Sequence, residues 1–177
     1  MNSISTKKLA LNGVMIAVVF LTTYFTKIPG PVGPFNIGDA AIMLTAVLLG
    51  RNSGFLSGAI GSAIADIAMG YGIFAPFTFI VKGIEGYVVG VLASKNAEGK
   101  TSEAMRIVAI ATGAIIMISG YFLAETFLLR FIDPAFGLAK ALEDLPFNLV
   151  QGGVSAVIGY VVSILLIKAN VYRFIKE

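Results

Sequence analysis

The chain has 177 residues, of which 57% are hydrophobic and 13% charged, and its mean hydropathy is +0.89. A soluble domain carries about 25% charged residues, so this chain lacks the polar shell that water requires and is suited to lipid. It contains no Cys, His or Trp, which removes thiol nucleophiles, imidazole bases and the usual zinc ligands, and its net charge of +3 is not gathered into the basic face that nucleic acid needs.

Apolar runs approaching the roughly 20 residues of a bilayer crossing follow one another along the chain. The first spans Leu9 to Thr26; it follows Lys7 and Lys8, exceeds a signal-peptide core and lacks an A-x-A cleavage pattern, so it reads as a retained span. The segment Lys27 to Asn36 holds three prolines and two glycines, which forbid a helix and favour a stiff cap. A second run, Ile37 to Gly50, is short for a crossing. Arg51 and Asn52 form a tight turn before the third span, Ser53 to Met69. Residues 70–76 form a loop, and the fourth span covers Pro76 to Ala93. Ser94 to Arg106 is hydrophilic. The fifth span covers Ile107 to Leu129, a mixed segment runs from Arg130 to Asp144, and the sixth span covers Leu145 to Ile167. The expected fold is all-α: a single domain, residues 1–177, of six transmembrane helices.

Charge gives the expected orientation. With six crossings, one face carries Lys7, Lys8, Arg51, Lys95, Lys100, Arg106, Lys168, Arg173 and Lys176, and the other only Lys27, Arg130 and Lys140. Nine cations against three predict cytoplasmic termini and place the Pro/Gly loops outside. Small residues four apart recur at Gly13/Ala17, Gly54/Gly58, Gly61/Ala65 and Gly86/Gly90; such pairs let helix backbones approach in lipid. Internal packing is their plain use. Gly13/Ala17 on the first span is the best candidate for a face that docks another membrane subunit.

A charge in hydrocarbon costs about 3 kcal/mol even on lenient scales, so intramembrane ions need a partner, a wet cavity or a task. Lys82 and Glu85 lie in the fourth span and Glu125 in the fifth. Lys82 is about 9 Å below the outer end of its span, and Glu125 is similarly deep. Tyr121 is one turn below Glu125, Thr78 one turn above Lys82, and Asn148 and Gln151 lie near the outer end of the sixth span. Three helices therefore present polar groups at one level. Phe35, Tyr71, Phe74 and Phe77 lie above it, with Asn36 closing the proline-rich cap. An apolar pocket with a few convergent polar groups suits a small molecule. Plainer roles compete: Lys82 can pair with Glu85 at i, i+3, and Asn148 and Gln151 can bond neighbouring helices. Asp39 is better placed to stabilise the start of the second helix through its dipole than to meet ligand, and Asp66 is open between such roles. Glu98-Gly-Lys-Thr101 imitates the end of a Walker motif, but Ser94 stands where its first glycine belongs and no strand precedes it.

Four segments carry a resemblance. Pro29-Gly-Pro-Val-Gly-Pro-Phe-Asn-Ile-Gly-Asp-Ala-Ala-Ile42 leads into Leu48-Leu-Gly-Arg-Asn-Ser-Gly-Phe-Leu-Ser-Gly58; Ala75-Pro-Phe-Thr-Phe-Ile-Val-Lys-Gly-Ile-Glu-Gly86 and Leu145-Pro-Phe-Asn-Leu-Val-Gln-Gly152 follow. In order and spacing, from about residue 7 to 168, the chain resembles the substrate-binding S components of energy-coupling factor (ECF) vitamin transporters, most closely the riboflavin, hydroxymethylpyrimidine and pyridoxine branch. The resemblance implies a subunit of the cell membrane, not an enzyme, that binds a vitamin or precursor from outside. It implies pyridoxine or hydroxymethylpyrimidine first and riboflavin next. It implies that the ligand lies under the first loop, among the outer parts of helices four to six. Candidate ligand residues are Phe35, Asn36, Tyr71, Phe74, Thr78, Lys82, Glu85, Tyr121, Glu125, Asn148 and Gln151. The implied partners are a coupling membrane subunit, met through the first helix, and two ATPase subunits; no cofactor or metal is expected. The family's docking motif reads A-x-x-x-A, and Gly13 replaces its first member. An autonomous ion-coupled carrier is the alternative reading, since Glu85 and Glu125 can relay protons, although no repeat of two halves is visible.

Overall fold

The computed structural model describes residues 6–94 and 102–171. Lys95, Lys100, Arg173, Lys176 and the Walker-like Glu98–Thr101 segment lie outside the described residues. The first helix, α1, is Thr6–Phe25. A two-residue antiparallel ladder follows, β1 (Ile28–Pro29) against β2 (Pro34–Phe35), with Ile28 opposite Phe35 and Pro29 opposite Pro34. α2 is Gly38–Leu49. α3 runs through Arg51–Leu56, a π turn at Ser57–Gly61 and Ser62–Met69. α4 is Ala75–Leu92. α5 runs from Glu103–Leu123 through a π turn, Ala124–Leu128, and a 3-10 turn, Leu129–Phe131. α6 is Leu138–Lys168. Six helices are thus present among the described residues. One end of the bundle holds the hairpin and the 70–74 and 132–137 connections. The other, the terminal end, holds Gly50 and the start of α1.

Four helices, α1, α4, α5 and α6, are long and apolar enough to cross a membrane. The bundle is inside-out relative to a soluble one. On α6 the buried positions include Asp144, Asn148, Gln151, Ser155 and Ser163, a polar stripe at helical spacing, while Leu149, Val150, Val154, Val157, Val161 and Leu165 are exposed. Apolar residues face outward because lipid, not water, is the solvent. α2 differs. Its twelve residues reach only about 18 Å, short of a hydrocarbon layer of about 30 Å. Nine of them are buried, because α1, α3, α4 and α6 all pack on it. A helix enclosed by protein need not match the thickness of the bilayer.

α3 and α4 touch backbone to backbone. A Cβ on Gly54 would strike the Gly86 carbonyl, and one on Gly86 would strike that of Gly54. A Cβ on Gly58 would meet the carbonyl of Lys82. The pairs Gly54/Gly58 and Gly86/Gly90 thus serve internal packing, as small residues do where hydrophobic force between helices is absent. Gly13 has nothing within 4 Å of its Cβ position, and Gly13 and Ala17 are both exposed.

The helix boundaries correct the expected spans. The sixth helix begins at Leu138 rather than Leu145 and carries Pro146 in its interior; a membrane helix accommodates proline because neighbours re-satisfy the freed carbonyl. The fifth begins at Glu103, where Ser102 Oγ accepts the Met105 N–H at 3.1 Å. Arg106 is therefore a buried helical residue, not part of a hydrophilic loop. Arg51 and Asn52 open α3; the turn before them is made by Gly50 alone, at φ 88°.

Candidate functional site

A cavity of ≈ 40 Å³ lies beneath the hairpin. Its walls are Gly33, Pro34, Phe35 and Asn36 from the hairpin and its exit, Asp66 from α3, Phe74 at the head of α4, Tyr121 and Glu125 from α5, and Asp144, Phe147, Asn148 and Gln151 from α6. The space admits a water or two, so a larger guest requires the walls to part.

Local structure explains each placement. Asp144, Asn148 and Gln151 follow i, i+4, i+7 spacing and share one face of α6. Glu125 sits in the π turn of α5, where an inserted residue rotates the following side chains relative to the helix below; such turns often mark functional sites. The hairpin exit is held from two sides. The Asn36 backbone N–H donates to Gln151 Oε1 at 2.9 Å, and the Ile37 N–H to Thr26 Oγ1 at 3.1 Å. The Asn36 side chain accepts the Gly38 N–H at 2.9 Å and so starts α2.

Under the cavity floor lies an ionic layer. Lys82 donates to Asp39 Oδ1, and Gln151 Nε2 donates to Asp39 Oδ2 at 2.8 Å. Lys82 Nζ is 3.9 Å from Glu85 Oε2 and 5.2 Å from the Tyr121 ring centroid. Tyr121 therefore separates the cation from the cavity. Thr78 Oγ1 donates to Asp66 Oδ2, and since a hydroxyl has one proton, Tyr121 O–H donates to Thr78 at 2.8 Å. In the cavity wall, Asn148 Nδ2 donates to Asp144 Oδ2 at 2.8 Å. Glu125 lies beside Asp144, so two buried carboxyl groups meet in the cavity wall.

The structure brings Phe35, Asn36, Phe74, Tyr121, Glu125, Asn148 and Gln151 together around one space. Tyr71, Thr78, Lys82 and Glu85 do not line it. Tyr71 packs near Phe74, with ring centroids 6.5 Å apart, Thr78 ties Asp66 to Tyr121, and Lys82 and Glu85 sit in the layer below. The i, i+3 pairing of Lys82 with Glu85 gives way to a closer partner, Asp39. Asp39 does occupy the first turn of α2, but its role exceeds dipole stabilisation. A fully buried carboxylate needs direct partners, and it takes two from other helices. Asp144 escapes the sequence reading because the segment before residue 145 reads as a connection; Phe147 lies inside the expected sixth span but carries no polar signal of its own. The polar period 144, 148, 151, 155 carried the signal.

The fold and this hollow define a multi-pass membrane protein with an enclosed, acid-rich polar site near one end. A model of the ECF-type riboflavin transporter S component matches residues 3–168, and the chain belongs to that family. It is the substrate-binding S component of an ECF transporter, a transport subunit of the cell membrane and not an enzyme. It is also similar to the thiamine precursor transporter HmpT of Lactococcus lactis subsp. cremoris, 25% identical over 174 residues, covering 97% of this chain and 94% of that protein. A UPF0397 protein of Exiguobacterium is 30% identical over 160 residues, covering 88% and 82%. An uncharacterised protein of Pyrococcus woesei is 40% identical over 105 residues, covering 58% and 68%.

Proposed function

We propose that this chain captures a small, donor-rich heterocycle, hydroxymethylpyrimidine or pyridoxine, in the cavity under the hairpin. It then passes the ligand inward with an ECF module of one coupling membrane subunit and two ATPase subunits. One observation carries the reading: three carboxyl groups, Asp66, Glu125 and Asp144, come from three helices into one small space with three amide-bearing residues, Asn36, Asn148 and Gln151, and no Lys or Arg among the described residues lines it. Neighbouring carboxyls without a cation either hold a proton or meet a donor-bearing or cationic guest. An aminopyrimidine offers an exocyclic N–H beside a ring nitrogen, and pyridoxine offers hydroxyls and a basic ring nitrogen. Both are small, which suits a site that must open to admit them. The Lactococcus relative is named a thiamine precursor transporter, which supports a small precursor as ligand.

Riboflavin is the second reading, carried by the family match over residues 3–168; its tricyclic ring demands a wider opening. Calorimetric titration of the purified chain with hydroxymethylpyrimidine, pyridoxine and riboflavin separates the readings. Tighter binding of either small ring is expected. Binding of riboflavin alone overturns the assignment.

The docking face in this proposal is Gly13/Ala17 on α1. The cation bias of the sequence supports the hairpin end outside and the termini in the cytoplasm.

A further inference from the structure

A second hollow lies far from the hairpin, on the outer surface of α3 and α4 near the terminal end. It is a groove of ≈ 570 Å³ walled by Asn52, Phe55, Leu56, Ile84 and Tyr87. The glycine contact of α3 with α4 explains it. Where Gly54 and Gly86 bring the backbones together, the side chains on the lipid side diverge and leave a trough between them. The walls are braced: the Phe55 ring meets Phe79 edge-on, with centroids 6.1 Å apart.

Its mouth is polar. The Arg51 guanidinium carbon lies 5.8 Å from the Tyr87 ring centroid, and Arg51 and Asn52 are exposed. No carboxylate forms an ion pair with Arg51 among the described residues. An arginine held over an aromatic face keeps its planar fork free for two parallel hydrogen bonds to a phosphate. Tyr87 is the amphipathic ring expected where acyl chain meets headgroup.

We infer that this groove seats one acyl chain of an anionic phospholipid whose phosphate is taken by Arg51 and Asn52. The chain spans a membrane, so the apolar trough is solvated by lipid, and Arg51 at its mouth complements an anionic headgroup. A helix of another subunit fits the groove less well. Helix contacts in lipid use small residues, such as those exposed on α1, whereas Phe55, Leu56, Ile84 and Tyr87 are bulky walls that suit a flexible chain.

The test uses the full chain in nanodiscs of phosphatidylcholine doped with phosphatidylglycerol, with retained lipid counted by native mass spectrometry. Retention of phosphatidylglycerol over phosphatidylcholine by about fivefold is expected, the size of one interfacial cation's attraction to anionic lipid. Arg51→Gln should abolish the preference. Ile84→Trp, which fills the trough and leaves the cation in place, should reduce retention of phosphatidylglycerol. Equal retention of the two lipids by the unmodified chain overturns the inference, as does an undiminished preference in Arg51→Gln or undiminished retention in Ile84→Trp. A photoreactive residue at position 84 in native membranes should yield a lipid adduct, and a protein adduct there overturns the assignment in favour of a partner helix. None of these readouts depends on the vitamin site.

Discussion

Glu125 and Glu85 are both fully enclosed acids, yet they occupy different layers. Glu125 faces the cavity; Glu85 lies beneath Tyr121, beside the Lys82–Asp39 pair. Their substitutions should therefore separate. Glu125→Ala and Asn148→Ala should each weaken ligand binding at least about tenfold, about 1.4 kcal/mol, because each removes a polar group from the wall. Glu85→Gln should leave affinity within about twofold, since it keeps the shape of a side chain that does not reach the space. Titration of the three variants decides the matter; equal losses at 85 and 125 would merge the two layers into one site. The types of these residues were legible in the sequence, because an acid in an apolar run stands out. Their layer was not. Lys82 has Glu85 within one turn, but its close partner is Asp39, 43 positions away on another helix, and no local spacing encodes that choice.

At the scale of the elements, the interface of α3 with α4 rests on absent side chains. Gly86→Ala introduces one methyl group against the Gly54 backbone, which has no rotamer to yield. A destabilisation of about 1–3 kcal/mol is expected, visible as a lowered melting temperature of the purified protein. An unchanged melting temperature would show that the two helices can slide apart without cost. The glycine pairs could be read from the sequence, and so could helix α4, with Pro76 in its first turn. The start of α6 could not. Pro146 and the charges at Lys140, Glu143 and Asp144 mark a loop in a soluble protein, but here they lie within a helix. Lys140 and Glu143 satisfy each other at 2.9 Å on the exposed side, and Asp144 turns inward to Asn148.

Across the whole molecule, the two ends serve different tasks under the proposed reading. Gly13 and Ala17 lie on the outer face of α1, unused by the bundle. Gly13→Leu should leave ligand binding intact and abolish uptake by the assembled transporter; undiminished uptake would move the docking face elsewhere. Sidedness is equally open to measurement, because the chain has no cysteine of its own. A cysteine placed at Pro31 in the hairpin should react with a membrane-impermeant maleimide on intact cells, and one placed at Ser102 only after lysis. The reverse pattern would invert the orientation drawn from nine cations against three.

The sequence by itself determined the solvent of this protein, the number of its helices and which of them carry intramembrane ions. Those properties follow from hydropathy, chain length and the cost of charge in hydrocarbon, which act residue by residue. Tertiary structure alone decided that a twelve-residue helix could lie at the centre, that Asp39 would hold Lys82 beneath Tyr121, and that Asp66, Glu125 and Asp144 would share a wall. These are relations between helices far apart in the chain, set by which backbones can approach and which buried groups find partners.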